Sequence, residues 1–380
     1  MDASNSGRIA LFSTRFVPYS QTFIYDEVRA HERYEVDIFC KERLNEEQFP
    51  YSKAQIHHPP GWAEKIYENV AYWPSLDRQI RAGDYDLIHA HFGTAAVYTL
   101  PYVRRYDLPL VVTFHGSDVA DLFGPNRFFP RQWRYWALSS SIFRHADRLL
   151  AVSRELAELL GELGADREKI SIHRLGIDLS KFSRADESRD TPRIALVGRF
   201  TEKKGFHYAL RACARALHNG HDAEVVVLGS GELEGNLRHI VAREGIQDRV
   251  NFKGAVPHDE VARVLARTDV LLAPSVVTRT HDRDSGIMVA KEASASGVPV
   301  IGTYHGGIPS IIDDGETGYL VPERDVPALT DRLTTLLADA ELRKRMGTAA
   351  RKKMEREFDL HDRVRALEQE YDDVRRRSST

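Results

Sequence analysis

Residues Arg193-Ile194-Ala195-Leu196-Val197-Gly198-Arg199-Phe200-Thr201-Glu202-Lys203-Lys204-Gly205 read as a short apolar strand, a glycine exit, a basic loop and the entry to a helical stretch, Tyr208 to Leu217. A buried strand that hands over to a helix in this way is the unit from which parallel α/β sheets are built. Its opening four residues occur once before, as Arg8-Ile9-Ala10-Leu11, where a strand from Ile9 to Phe12 stops at Ser13-Thr14-Arg15 and passes through Pro18 into a helix over Thr22 to His31. Outward from the first copy, buried-strand runs recur at Val36 to Phe39, Leu87 to Ala90, Leu110 to Thr113, Arg148 to Val152 and Ile170 to His173. Outward from the second they recur at Glu224 to Leu228, Val250 to Lys253, Val270 to Ala273, Pro299 to Gly302 and Gly318 to Val321. Strands alternating with helical patterns predict two α/β domains of similar size, each a mostly parallel sheet with helices on both faces. Ser183 to Pro192 has almost nothing to bury, which predicts domains over 1–185 and 186–355. A charged helix over 356–380 is expected to pack back toward the first domain.

Composition narrows the function. With 380 residues and 42% hydrophobic content, each domain can build a core. Lys plus Arg number 53 against 56 Asp plus Glu, so no global polycation is available for nucleic acid, and a bound anion must be held by a local site. Cys40 and Cys213 have no second Cys at ligand spacing, which argues against a disulfide framework or a Cys-based zinc site and fits a reducing compartment. No apolar run reaches membrane-span length, and the N-terminus lacks the order of a signal peptide. The expected location is cytoplasmic, with any membrane contact peripheral and at the inner face.

Several motifs carry chemistry. Gly229-Ser230-Gly231-Glu232-Leu233-Glu234-Gly235 follows a strand but has Glu234 where a dinucleotide fingerprint needs its third glycine, so an NAD enzyme is not expected. On the Gly198 to Gly205 loop, Arg199 and Lys204 can converge on one anion, the alternative being a solvated charged loop. In Asp282 to Glu292, Ser285 and Gly286 open a helix whose first N–H groups suit an anion, and Asp284 and Glu292 can line one side of it. Such carboxylates accept hydrogen bonds from sugar hydroxyls, or simply stabilise a helix terminus. His115 ends a strand in Phe114-His115-Gly116-Ser117-Asp118, at the edge where open α/β folds place chemistry; a capping role is the bland alternative. His89 and His91 share a strand face but lack an evident third ligand, so no metal is expected. Phe128 to Trp136 mixes aromatic and basic residues, a composition found both at membrane interfaces and in ordinary helix packing.

Taken in order, Gly198-Arg199 through Lys204-Gly205, an acidic residue spaced before Glu292, Gly297-Val298-Pro299, Gly306-Gly307-Ile308-Pro309 and Asp314-Gly315-Glu316-Thr317-Gly318 resemble the retaining glycosyltransferases of the glycosyltransferase 4 family. Pro18-Tyr19-Ser20-Gln21-Thr22-Phe23-Ile24 and His89-Ala90-His91-Phe92-Gly93 are similar to the branch that makes exopolysaccharides and related surface glycans. The resemblance implies the GT-B fold, two facing Rossmann-like domains with the active site in the cleft. The first domain would bind a glycan or lipid-linked acceptor, and the second a nucleoside diphosphate sugar, with UDP favoured. No resident cofactor is implied. Arg199 and Lys204 would hold the diphosphate with Ser285, Gly286 and Ile287, and Glu292 would bind the ribose. His115 and Asp284 would act at the transferred sugar, with Ser20, Gln21, His91 and Asp118 as acceptor-side candidates. Asp284 stands where the family usually has Glu, Ser310 where Glu often follows the Gly-Gly-x-Pro turn, and Ser20 with Gln21 where a glycine pair is usual. Rival readings are a sugar-nucleotide epimerase of the same fold and a non-catalytic nucleotide-sugar-binding protein. Nothing in the pattern assigns an oligomeric state.

Overall fold

A computed structural model of the chain describes residues 7–18, 21–123, 130–185 and 190–378. These form two compact units, one of Met1–Gly176 with Leu360–Thr380 and one of Ile177–Asp359. Each is a parallel sheet covered by helices.

The first unit contains β1 (Gly7–Phe16), β2 (Tyr34–Arg43), β3 (Ile56–His57), β4 (Leu87–His91), β5 (Leu110–Phe114), β6 (Arg148–Ala151) and β7 (Ile170–Ile172), ordered β3-β2-β1-β4-β5-β6-β7. The second contains β8 (Arg193–Val197), β9 (Glu224–Leu228), β10 (Val250–Gly254), β11 (Val270–Ala273), β12 (Val300–Thr303) and β13 (Gly318–Val321), ordered β10-β9-β8-β11-β12-β13. The Arg-Ile-Ala-Leu repeat therefore marks topologically equivalent strands, β1 and β8, each paired with the next strand in sequence on one side and with β4 or β11 on the other. At both places the direction of winding reverses.

Three features depart from the sequence reading. β1 runs on to Phe16 instead of stopping at Ser13, because Ser13 is itself buried, Phe16 is fully buried, and the exposed Arg15 between them pairs across to Glu42 at 3.1 Å. β3 is a two-residue edge too short to be recognised by pattern. The domain boundary lies at Gly176/Ile177, ahead of the expected 185/186, because Ile177 and Phe182 are buried with Met354 and Phe358 in the second unit. Polar composition is a poor guide here: the segment from Ile177 keeps its apolar anchors before the polar run begins. Residues 186–189 of that run lie outside the described residues.

The chain returns to the first unit at Leu360 rather than at 356. The helix Ala340–Glu357, capped by Asp339, ends at Phe358, and Ile177 N–H donates to Phe358 O at 2.8 Å. The helix Leu360–Ser378 then buries Leu367, Tyr371 and Val374 among Ile9, Leu11, Val28 and Val36. Its buried Glu368 accepts from Glu32 and Arg33 N–H, both at 3.0 Å, and from the Arg33 guanidinium at 3.1 Å, and it contacts His31 Nδ1 at 3.1 Å. Burial pushes the Glu368 carboxyl up, but His31 and these N–H groups outweigh it and lower it to about 2.

A carboxylate depressed on folding stabilises fully above its ordinary value of 4.5, and the contribution is lost as pH falls toward about 2. Glu368→Gln is expected to cost about 2 kcal/mol at neutral pH after allowance for solvent screening, and to flatten the loss of stability between those limits. Denaturant unfolding followed at several pH values checks both.

Candidate active site

In the second unit the candidate residues gather where β8 and β11 diverge. Gly205, at φ 64°, ends the basic loop and lies so close to Pro274 O that a side chain there would collide with it. Val276 N–H donates to Lys203 O at 2.9 Å, fixing the β11 exit against the β8 exit. Lys204 Nζ is ion-paired to Asp284 Oδ2, which also accepts from Ser275 Oγ at 3.2 Å. The buried Lys203, passed over in the sequence, pairs with Asp282 at 3.0 Å. Arg199 is exposed and has no ion pair among the described residues.

Asp284 is not on the helix as expected. The helix spans Met288–Ala295, and Asp284 lies on the loop before it, turned toward Lys204. Its N–H donates to His305 Nε2 at 2.9 Å, while His305 Nδ1 faces Glu323 Oε1 at 2.7 Å. A carboxylate can only accept, so His305 carries its hydrogen on Nδ1. Burial raises the Asp284 carboxyl, but Lys204, Lys203 and His305 pull it below its ordinary value, leaving it ionised. Gly306, at φ 54°, approaches Asp284 O at a distance no side chain would permit. Glu292, on the helix, is buried and lies 3.0 Å from His258 Nε2. Ser285 is also buried, and its hydroxyl has no hydrogen-bond partner among the described residues; with Gly286 and Ile287 it precedes the first turn of the Met288–Ala295 helix. His258, His305, Glu323 and Lys203 escaped the sequence reading because their relevance is set by packing between strand exits; the position of His305 just after β12 was the available signal.

In the first unit the exits of β4 and β5 are joined by Asp118. Its oxygens accept N–H groups of Gly93 (2.9 Å), His115 (3.1 Å), Gly116 (2.8 Å) and Val119 (3.1 Å). Burial raises its carboxyl above the ordinary range against the pull of those donors. Asp118 was expected on the acceptor side; with all four donors on a buried carboxylate, it instead shapes the loop that carries His115. His91, also expected there, is 0% exposed and lies behind His115, with Nδ1 to His115 Nε2 at 3.1 Å. Its Nε2 is 3.0 Å from Glu27 Oε1. His115 is half-buried between Phe23 and Phe92, ring centroids 5.0 and 4.3 Å away. Gln21 caps the Thr22–Ala30 helix without using its side chain, and its buried Oε1 has no hydrogen-bond partner among the described residues. Ser20 lies outside the described residues, as do Phe128 and Phe129.

Glu27, His89 and His91 have ligand atoms within 4.8 Å of one another, so the third candidate ligand missing from the sequence is supplied by the Thr22–Ala30 helix. His89 is already committed, Nε2 to Thr113 Oγ1 at 2.8 Å and Nδ1 to Tyr371 OH at 2.7 Å. A metal ion would have to displace one of those partners.

Residues 21–181 match the model of Glycosyltransferase Family 4, and residues 180–353 match that of Glycosyl transferases group 1. The chain is 34% identical to WcaL of Escherichia coli K12, provisionally named a colanic acid biosynthesis glycosyltransferase, over 72% of this chain and 67% of that one. It is 32% identical to the amylovoran biosynthesis glycosyltransferase AmsK of Erwinia amylovora, over 75% and 69%. The Anabaena protein HepE, solved with UDP, superposes with a TM-score of 0.76 at 16% identity, over 97% of this chain and 100% of that one, which establishes likeness of fold. On the two matched models and these relatives, the chain belongs to the glycosyltransferase 4 family and is a glycosyltransferase of the GT-B fold.

Proposed function

We propose that the protein is a retaining, metal-independent glycosyltransferase of exopolysaccharide assembly. It would move a sugar from a nucleoside diphosphate sugar, a UDP-sugar by preference, to a hydroxyl of a glycan or lipid-linked acceptor. The observation that carries this reading is an exposed Arg199 on the same β8-exit loop as a Lys204 already oriented by Asp284, at the winding reversal of the second sheet. An ammonium has three N–H donors; one goes to Asp284, leaving two for phosphate oxygens. The guanidinium of Arg199 adds a bidentate fork. With the Ser285 hydroxyl and the helix terminus behind it, these groups oppose the charge that develops on a leaving diphosphate, the work a divalent ion performs elsewhere.

Glu292 suits ribose hydroxyls, with His258 sharing the load. Asp284, held as a carboxylate by Lys204, is a weak nucleophile but a good acceptor for sugar hydroxyls. That favours attack on the same face as departure, with the leaving phosphate taking the acceptor proton. The names of WcaL and AmsK support exopolysaccharide as the product class.

Incubation with a panel of nucleotide sugars, with the anomeric configuration of the product read by NMR, tests the reading. Isomerised donor would favour the epimerase, and binding without turnover the non-catalytic alternative. Arg199→Ala is expected to weaken nucleoside diphosphate binding roughly ten- to a hundredfold, the value of one charge-assisted bond of about 1.5–3 kcal/mol, with an unchanged melting temperature. Lys204→Ala should weaken binding as much and also destabilise, since Lys204 is half-buried and paired rather than free on an exposed loop. Calorimetric titration with UDP checks both; unchanged affinity in both removes the phosphate assignment.

Activity is expected to survive chelation by EDTA. Complete loss restored by a divalent ion would turn attention to Glu27, His89 and His91.

Peripheral membrane contact at the cytoplasmic face is supported by an apolar surface on the first unit. No helix among the described residues is long and apolar enough to cross a membrane. Trp62, Ile66 and Val70, spaced four apart, are 75%, 48% and 58% exposed, and Trp133 and Trp136 are 61% and 45% exposed on the helix Pro130–His145. Arg134 of that helix donates to Glu68 O at 2.6 Å, which brings the two groups side by side. Trp side chains favour the headgroup region. Sedimentation with phosphatidylglycerol-containing vesicles is expected to carry the protein down, and the Trp62→Ser, Trp133→Ser double variant to release it.

A further inference from the structure

A buried carboxylate that the mechanism above does not use stands behind His115. Glu27 lies on the Thr22–Ala30 helix and is 5% exposed. It faces His91 Nε2 at 3.0 Å, a close ionic contact that falls short of an in-line hydrogen bond, and His91 Nδ1 continues to His115 Nε2 at 3.1 Å. The register of β4 on β5 sets His91 opposite Thr113, so His91 and the residue two beyond Thr113 share one face of the sheet. The two imidazoles lie nearly parallel, centroids 5.3 Å apart at 22°. Exposure rises along the series, from Glu27 and His91, both buried, to His115, which is half-buried at the carboxyl edge.

We propose that Glu27 is a positioning residue which, through His91, holds His115 in the tautomer with its hydrogen on Nε2 and its lone pair on Nδ1. A carboxylate cannot donate, and its charge at 3.0 Å favours the hydrogen of His91 on the nitrogen that faces it, Nε2. Neutral His91 with hydrogen on Nε2 has a lone pair on Nδ1, and only an Nε2–H on His115 can satisfy it. The other nitrogen of His115, the buried Nδ1, then holds the lone pair. Burial raises the Glu27 carboxyl, but the contact with His91, with His173 and His31 nearby, brings it below its ordinary value. His89, whose ring centroid is 4.5 Å from that of His91, does not compete, because Thr113 and Tyr371 occupy both its nitrogens. Burial and the neighbouring histidines hold His89 well below its ordinary value, so it adds no charge. Phe92, at φ 72°, is held in a sparsely populated conformation and covers the His115 ring, which limits its rotation.

The consequence for turnover rests on His115 facing the transferred sugar, as proposed above; the tautomer does not. Full-length protein labelled with ¹⁵N-histidine, His115 being assigned through His115→Gln, reports each ring tautomer in long-range ¹H–¹⁵N spectra at neutral pH. Wild type is expected to show Nε2–H on both His91 and His115. A neutral His115 with Nδ1–H, or an imidazolium at His91, overturns the proposal without any variant. Glu27→Gln, whose amide can donate to His91, is expected to shift His115 to Nδ1–H or to a mixture; an unchanged His115 signal in the folded variant also overturns it. If that variant does not fold, Glu27→Asp keeps the charge and is expected to keep the wild-type tautomer, and loss of it counts against the proposal. In donor turnover assays, Glu27→Gln is expected to lower kcat about a hundredfold with little change in KM. A tautomer switch with unaltered kcat would remove His115 from the reaction while leaving the positioning intact.

Discussion

Every strand pair in both sheets is parallel, and most other features of the molecule follow from that constraint. Parallel strands need a crossover between each pair, so all strands of a unit finish at the same edge, and helices must bury both faces of the sheet. Polar groups can then gather only at that edge, or inside the sheet if they satisfy one another. Where the winding reverses, between β1 and β4 and between β8 and β11, successive loops diverge and leave room for a ligand. The basic loop after β8 and the His115 loop after β5 are both carboxyl-edge loops. Gly205 and Gly306 are needed because neighbouring exits approach to backbone distance there.

At the edge of the second unit the charges are mostly paired in advance. Lys203 with Asp282, Lys204 with Asp284, His258 with Glu292 and His305 with Glu323 form a series across the β8, β11 and β12 exits. A lone buried ion is costly, and each pair avoids that cost before any ligand arrives. An incoming polyanion or polyol then exchanges partners with groups already oriented. Affinity depends on the difference between two sets of polar contacts, and at Asp284 the set to be exchanged is that with Lys204 and Ser275. Arg199, exposed and outside the series, is the cation that can engage a ligand without surrendering a partner.

Much of the architecture was legible because β-runs buried on both faces are continuous and apolar. Glu224 to Leu228 and Val270 to Ala273, for instance, are strands with the expected limits. β1 was cut short because Ser13-Thr14-Arg15 looks like a turn until it is matched with the facing residues of β2. Local sequence singled out Arg199, Lys204, Asp284, Glu292 and His115 as candidates, because their types and neighbours are suggestive on their own. It could not distinguish Lys203 from Lys204, since which lysine turns inward depends on Asp282, 79 residues away. Asp118 and His91 look like ligand contacts in sequence, and only their burial assigns them to shaping and supporting the His115 loop. Glu27 is unremarkable in an amphipathic helix; its meaning comes from β4, which the chain reaches some sixty residues later.

The C-terminal helix connects these two levels of organisation. It completes the apolar core of the first unit through Leu367, Tyr371 and Val374, and the hydroxyl of the same Tyr371 closes off His89. Without it His89 would hold an unsatisfied buried nitrogen beside His91, and the His91 ring would gain a second place to send its hydrogen bond. With it, His89 is saturated from both sides, and beneath the sheet edge Glu27 contacts His91, which in turn meets His115. A cluster of histidines in a hydrophobic core would ordinarily permit several proton arrangements of similar energy. Here Thr113 and Tyr371 take His89 out of that competition, so a helix remote in sequence bears on the arrangement proposed for His91 and His115.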